Sequence, residues 1–288
     1  MPALPAPRSR AATALLAAAA LVCFAANSLL ARAALRGGRA DPASFTAIRI
    51  ASGAAFLAVL AAAAGRRRRG GGSWASAAAL LVYAAAFSLS YVHVPTGTGA
   101  LLLFAAVQVT MIGVAVAQGA RPTRPQWLGI ALALGGLAAL TRPGAHGATV
   151  PAAASMVLAG AAWGVYSLRG RSARDPLATT ADNFVRATAL AAPLAAAHLL
   201  ASEARLTAAG AVLAVASGAL ASGGGYTLWY AVVPALGATR AAAFQLAVPV
   251  LAAAGGVALL GEHVTARLVL SAAAILCGIA LTLARRRG

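Results

Sequence analysis

Acidic residues are nearly missing from this 288-residue chain: Asp and Glu together number five, and lysine does not occur at all. Charged residues make up 10% and hydrophobic residues 61%. That leaves too little polar surface to coat a soluble domain of this size, so the solvent the chain expects is lipid. Cysteine is as scarce. Cys23 and Cys277 fall in apolar runs with no Cys or His partner at metal-ligand spacing, and they read as small hydrophobes, not as a redox pair or metal site. The histidines, His93, His146, His198 and His263, are scattered at separate segment boundaries. An intramembrane enzyme needs an acid/base pair or a metal cluster at bilayer depth, and the sequence offers neither. No catalytic residue, metal or cofactor is expected. A Walker-type glycine-rich phosphate loop is also missing, which excludes ATP as the direct energy source.

What is abundant is arginine. All 23 basic residues are arginine, giving a formal charge of +18. A nucleic-acid binder would spread them over amphipathic or aromatic-interleaved surfaces. Here they punctuate apolar segments, as cytoplasmic loops do, so no nucleic-acid partner is expected. A spanning helix needs about 20 apolar residues, and cutting at the Arg, Gly and Pro clusters gives ten segments: 11–31, 43–64, 74–93, 96–117, 125–141, 151–168, 178–201, 208–230, 237–260 and 265–284. The first resembles a signal peptide but runs on to about residue 35, and is read as a retained span. Val94-Pro95 and 233–236 leave such short gaps that segments three and four, and eight and nine, are predicted to be tight helical hairpins.

The segments repeat. Ser28, Tyr91 and Pro95 recur as Ser167, Tyr230 and Pro234 at a separation of 139, while Gly119, Thr123 and Gly136 recur as Gly261, Thr265 and Gly278 at 142. The fold class predicted is therefore an all-α integral membrane protein of ten transmembrane helices. Its repeats are expected at 1–146 and 147–288, with spans 1–5 and 6–10. Five is odd, so the second copy inserts upside down: a five-plus-five inverted repeat, the architecture that opens a site alternately to each side. With a cytoplasmic N-terminus, 15 arginines fall on that side and six on the other, Arg32 among the six. Both termini are thus predicted to be cytoplasmic.

The turn Gly261-Glu262-x-x-Thr265 between spans nine and ten, with Pro249 upstream and Gly278 in a glycine-rich closing helix, resembles the drug/metabolite transporter (DMT) superfamily, specifically its EamA-type transporters. The resemblance covers nearly the whole chain. It departs in the first half, where Ala120 takes the place of the acidic residue and Val107-Gln108 that of the helix proline. Membership implies transport of small metabolites without ATP, often export of amino acids or related compounds, and helices one and six facing a central cavity.

Polar side chains inside a bilayer need a partner or a role. Asn27 and Ser28 correspond to Tyr166 and Ser167 on spans one and six; they either line a pocket or bond neighbouring helices. Tyr83 and Tyr226 lie deep in spans three and eight, offering an aromatic face and a hydroxyl. Tyr91, His93 and Tyr230, beside the hairpins, read as interfacial anchors. Gln108, with Thr110, in span four and Gln245 in span nine are symmetry-related polar groups in apolar helices, read as pocket lining or as a clamp on a kink beside Pro249. Arg49 and Arg186 correspond across the repeat. Each can hold a substrate anion, snorkel to the nearer surface or pair with Asp182, and snorkelling is the favoured reading. Trp163 is cavity-facing by the family resemblance, or packing. Gly223, Gly224 and Gly225 mark a hinge or a close helix contact, and Pro249 a second hinge candidate.

The function expected is secondary transport of small metabolites across the cytoplasmic (inner) membrane by alternating access, with lipid bilayer and a small-molecule substrate as partners and the oligomeric state open. A non-transporting membrane scaffold or sensor is the alternative.

Overall fold

The computed structural model describes residues 9–65, 71–119, 121–141, 149–171, 173–201 and 204–283. Arg8, the arginine run 66–69, Ala120, the junction 142–147 and Arg285 to Arg287 lie outside them. The regular elements are helices: α1 (Arg10–Arg36), α2 (Pro42–Ala63), α3 (Trp74–Tyr91), α4 (Thr96–Ala117), α5 (Arg124–Thr141), α6 (Val150–Gly170), α7 (Pro176–Leu200), α8 (Ala208–Val215), a π-helix (Ala216–Gly224), α9 (Gly225–Gln245), α10 (Ala247–Leu260) and α11 (Ala266–Leu283). Among the described residues there is no strand, only an isolated antiparallel bridge between Ala40 and Leu206. Six stretches are long and apolar enough to cross a membrane: α1, α2, α3, α4, α6 and Ala208–Leu236. Their outer faces present Leu15, Val59, Leu89, Leu158 and Leu220, the surface lipid wets.

Most boundaries follow local chemistry. Side chains of Ser9, Asp41, Ser73, Asp175 and Thr207 accept from the first free amides of α1, α2, α3, α7 and α8, as N-caps do. Gly119 (φ 94°) and Gly261 (φ 62°) end α4 and α10 in the left-handed region, where only glycine is unstrained.

Two expectations fail. The hairpin predicted at 233–236 is absent, because the helix begun at Gly225 runs through Pro234 to Gln245. Proline forfeits one backbone bond, and the alanine-rich sequence beyond it favours continuing the helix. Span nine accordingly shortens to α10, Pro249 falls in its first turn, and Gln245 sits at a helix end, not at mid-helix. Arg32, assigned to a loop, lies within α1 and is buried.

Packing relies on glycine, since lipid supplies no hydrophobic drive between helices and close backbone approach must do the work. A Cβ built on Gly129 of α5 would lie 2.5 Å from the Gly278 carbonyl of α11, and one on Gly278 the same distance from the Gly129 carbonyl. One built on Gly136 meets the Ser271 carbonyl at 3.0 Å. These contacts run in opposite chain directions, so α5 and α11 are antiparallel. Gly160 and Gly164 seat α6 against Leu103 and Thr110 of α4 in the same way. α2 packs on α7 and the π-helix, α1 on α9 and α10, and α3 on α6.

One polar joint ties these pairs together. Glu262 accepts the Thr96 amide at 2.8 Å, capping α4, and the Arg32 Nε at 3.2 Å. Arg32 Nη1 donates to the Tyr91 and Val92 carbonyls at 2.9 and 2.8 Å, capping α3. Tyr91, read as an interfacial anchor, is instead fully buried. Its ring lies against Gly99 and its hydroxyl donates to the Thr96 carbonyl at 3.3 Å. A second joint links the loops. Asp41 accepts the Arg205 amide at 2.9 Å and faces His198 Nε2 at 3.0 Å. Burial raises the Asp41 carboxyl, but hydrogen bonds from Ser44 and Arg205 and the His198 contact outweigh it, leaving the pKa below the ordinary value.

Removing one partner of a buried ion pair strands the other. Glu262→Ala is expected to destabilise the protein by about 3 kcal/mol, and Glu262→Gln, which keeps one acceptor, by less, in thermal unfolding of detergent-purified protein. The lowered Asp41 pKa gives a contribution to stability that is complete above the ordinary aspartate value of about 3.9 and disappears as the pH falls through the lower folded value. Asp41→Asn should flatten the acid side of the stability curve below about pH 4, read by the same unfolding series.

Candidate functional site

Six helices contribute aromatic or cationic side chains to one cluster in the core. Trp163 of α6 is its centre. It stacks on Tyr226 of α9 (centroids 5.1 Å apart, planes 20°) and on Tyr166 of its own helix (5.3 Å, 25°), and it lies 4.9 Å from Tyr83 of α3. Phe24 of α1 and Phe184 of α7 flank Tyr226 at 5.9 and 6.0 Å. Near-parallel rings at these distances form a flat apolar wall.

Arg49 of α2 enters this wall from the side. Its Nη2 donates to the Tyr83 hydroxyl at 2.9 Å, and its guanidinium carbon lies 5.1 Å from the Tyr83 ring centroid and 4.6 Å from that of Phe87, within cation–π range. The residue is 2% exposed. Snorkelling, the favoured sequence reading, is therefore wrong for Arg49: its stem is held among aromatics, away from any surface. Its Nη1 is buried with no hydrogen-bond partner among the described residues. Arg186, its repeat counterpart, behaves differently, pairing with Asp182 through two contacts of 3.2 Å and lying over Trp74.

The π-helix positions both groups. Ser217 donates to Asn27 Oδ1 at 2.5 Å, and Gly218 rests on the Arg49 carbonyl, where any Cβ would collide. This wider i→i+5 turn, frequent at functional sites, ends at Gly224, two residues before Tyr226. Of the proposed hinge glycines, Gly223 packs against Phe56 and Gly225 against Cys23 and Phe24, whereas Gly224 has nothing nearer than 3.9 Å.

The structure thus brings Asn27, Arg49, Tyr83, Trp163, Tyr166 and Tyr226 to one place. Ser28 is instead buried beside the Tyr91 hydroxyl, and Thr110 donates to the Ala106 carbonyl of its own helix at 2.8 Å. Gln108, Ser167 and Gln245 are half-buried and make no hydrogen bond among the described residues. Sequence reasoning missed Phe24, Phe184, Ser217 and Asn183. Only Asn183 carried a signal, as an amide in an apolar helix. It accepts the Ser73 amide at 2.9 Å and reaches the Tyr166 hydroxyl at 3.5 Å. Two surface hollows of about 170 Å³ occur elsewhere, one between α4, α5 and α11 and one between α2, α3 and α7. The second is lined almost wholly by alanine, leucine and proline.

A model of the EamA-like transporter family matches residues 11–142 and 150–284. The uncharacterized protein PA1977 of Pseudomonas aeruginosa is 51% identical over 279 residues, covering 96% of each chain. A protein of known crystal structure superposes with a TM-score of 0.65 at 21% identity, over 95% of this chain and 96% of the other; that likeness is one of fold.

The contact at Gly218 gives a test of the local geometry. Gly218→Ala should cost about 1–3 kcal/mol through overpacking, while Gly224→Ala, whose Cβ would make only an ordinary contact with the Ala219 carbonyl, should leave the unfolding temperature in detergent nearly unchanged.

Proposed function

As the chain belongs to the EamA-like transporter family of the DMT superfamily, a family of membrane transporters of small molecules, we propose that it is a secondary exporter of small metabolites, amino acids or related compounds, across the cytoplasmic membrane. The substrate binds at the aromatic cluster around Trp163. The observation that carries this reading is the origin of the cluster: Phe24, Tyr83 and Arg49 come from the first half of the chain, Trp163, Phe184 and Tyr226 from the second. A site assembled from two halves changes when they move relative to each other.

The halves are an inverted repeat, residues 1–146 and 147–288, of five spans each, with both termini cytoplasmic. The family model matches twice, over two segments of similar length, which supports the repeat. A pair of contacts supports its inversion. At α5 and α11, the contact of Gly129 with Gly278 has as its counterpart, 142 residues on and back, the contact of Gly136 with Ser271. Exchanging the two contacts in an antiparallel pair takes a two-fold axis perpendicular to both helices, and if these cross the bilayer that axis lies in its plane. Gln108, Thr110, Ser167 and Gln245 are assigned to the pathway beyond the cluster, and Gly224 to the flexible point.

The test is flux. Cells lacking or overproducing the protein are screened for metabolite export and sensitivity, and the best hit is followed in proteoliposomes. Saturable flux is expected, reduced at least tenfold by Trp163→Ala in correctly inserted protein. Protein that is folded and inserted yet moves none of the metabolites from the screen would sink the proposal in favour of a scaffold or sensor.

A further inference from the structure

Two arginines are buried in the helical core among the described residues, Arg32 and Arg49, and only one of them is neutralised there. Arg32 spends its donors on Glu262 and two carbonyls. Arg49, more deeply buried, has one hydroxyl, two ring faces and an Nη1 with no hydrogen-bond partner among the described residues. No carboxylate among the described residues forms an ion pair with it. Asp41 caps α2 and faces His198, Asp175 caps α7, Asp182 holds Arg186, and Glu262 holds Arg32. An uncompensated guanidinium in an apolar interior is costly and marks function.

We propose that Arg49 is the anion-binding residue of the transport site, and that the ligand it takes is a monocarboxylate carried on a flat apolar body. This rests on the reading of the Trp163 cluster as the substrate site. Three features choose the ligand. The charge to be balanced is a single positive one, which fits a carboxylate and leaves a phosphate dianion with an excess. The planar fork of a guanidinium matches the two oxygens of a carboxylate. The neighbouring surface, reached through Tyr83, is the stack of Trp163 on Tyr226 with planes 20° apart, which takes a flat ring or unsaturated chain by stacking. The same inventory of carboxylates leaves none at the cluster to receive an ammonium group. The site therefore prefers a net anion over a zwitterion of the same skeleton.

Binding to detergent-purified protein, followed by tryptophan fluorescence and checked by ligand-induced thermal shift, decides this with four closely matched probes: phenylacetate, phenylacetamide, phenylglycine and phenethylamine. Saturable binding of phenylacetate is expected, with the amide, the zwitterion and the amine each at least tenfold weaker. Benzyl phosphonate at a pH where it is doubly charged should also bind more weakly than phenylacetate. Arg49→Gln should abolish the preference for acid over amide, and Arg49→Lys should restore part of it; the partial rescue separates a charge role from loss of packing if Arg49→Gln folds poorly. Equal binding of phenylacetate by wild type and by folded Arg49→Gln, or equal binding of acid and amide by wild type, would overturn the proposal. Phenylglycine binding as tightly as phenylacetate would overturn the preference for a net anion. Acid-selective binding that depends on Arg49 but comes with no flux in proteoliposomes leaves this inference standing and removes the transport reading instead.

Discussion

Everything at one end of the bundle hangs on the Glu262 carboxylate. A hairpin between two apolar helices leaves the carbonyls of the first and the amides of the second unsatisfied, and lipid offers no water to replace them. Glu262 takes the Thr96 amide at the start of α4, and through Arg32 the carbonyls at the end of α3 are satisfied as well. One ion pair thus closes both open ends of the α3–α4 hairpin. It also fastens that hairpin to α1 and to the turn before α11. Each residue of the Gly261-Glu262-x-x-Thr265 motif has a part: Gly261 ends α10 in the left-handed region, Glu262 caps a different hairpin, and Thr265 accepts the Leu268 amide to start α11.

The same reasoning accounts for the asymmetry of the two halves. The first-half turn has glycine at 119 with positive φ and Thr123 before α5, but the residue between them that would correspond to the carboxylate is Ala120. An alanine methyl accepts no hydrogen bond. The hairpin it would have capped, at 233–236, does not form, and an unbroken helix passes through Pro234 to Gln245. A hairpin in lipid needs its cap more than it needs its proline.

Composition and the spacing of arginines were enough to read the helices from α2 to α7, with limits agreeing within a few residues. Most of these boundaries are set by a local cap or a charged gap; the α3–α4 turn is the exception, capped from far along the chain by Glu262 and Arg32. What sequence could not supply was pairing over long distance. Arg32 looked like loop arginine because its partner is 230 residues away. Tyr91 looked interfacial because nothing in sequence places it against Gly99 and Ser28. Gln108 and Gln245 looked matched because alignment across the repeat assumes equal helix boundaries, and the loss of one hairpin shifted Gln245 to a helix end. The aromatic members of the cluster were partly legible, since Tyr83, Trp163, Tyr166 and Tyr226 are large rings in helices otherwise built of alanine and leucine. Phe24 and Phe184 carry no polar atom and could not be told from ordinary core.

Arg32 and Arg49 together show why a buried charge cannot be interpreted by depth alone. Both are enclosed, and both belong to helices that would be more stable in lipid without them. The first is consumed by structure, with its charge matched and its donors directed at helix ends that have no other means of satisfaction. The second is held by aromatic faces, which attract a cation without neutralising it. They orient the guanidinium and leave its charge available. The helix opposite supports the same arrangement, because the π-helix sets Gly218 directly on the Arg49 carbonyl and fixes the backbone from which the side chain extends. With no carboxylate partner among the described residues, this rigidly placed cation beside a flat aromatic wall is the group that the proposed anionic ligand would complete.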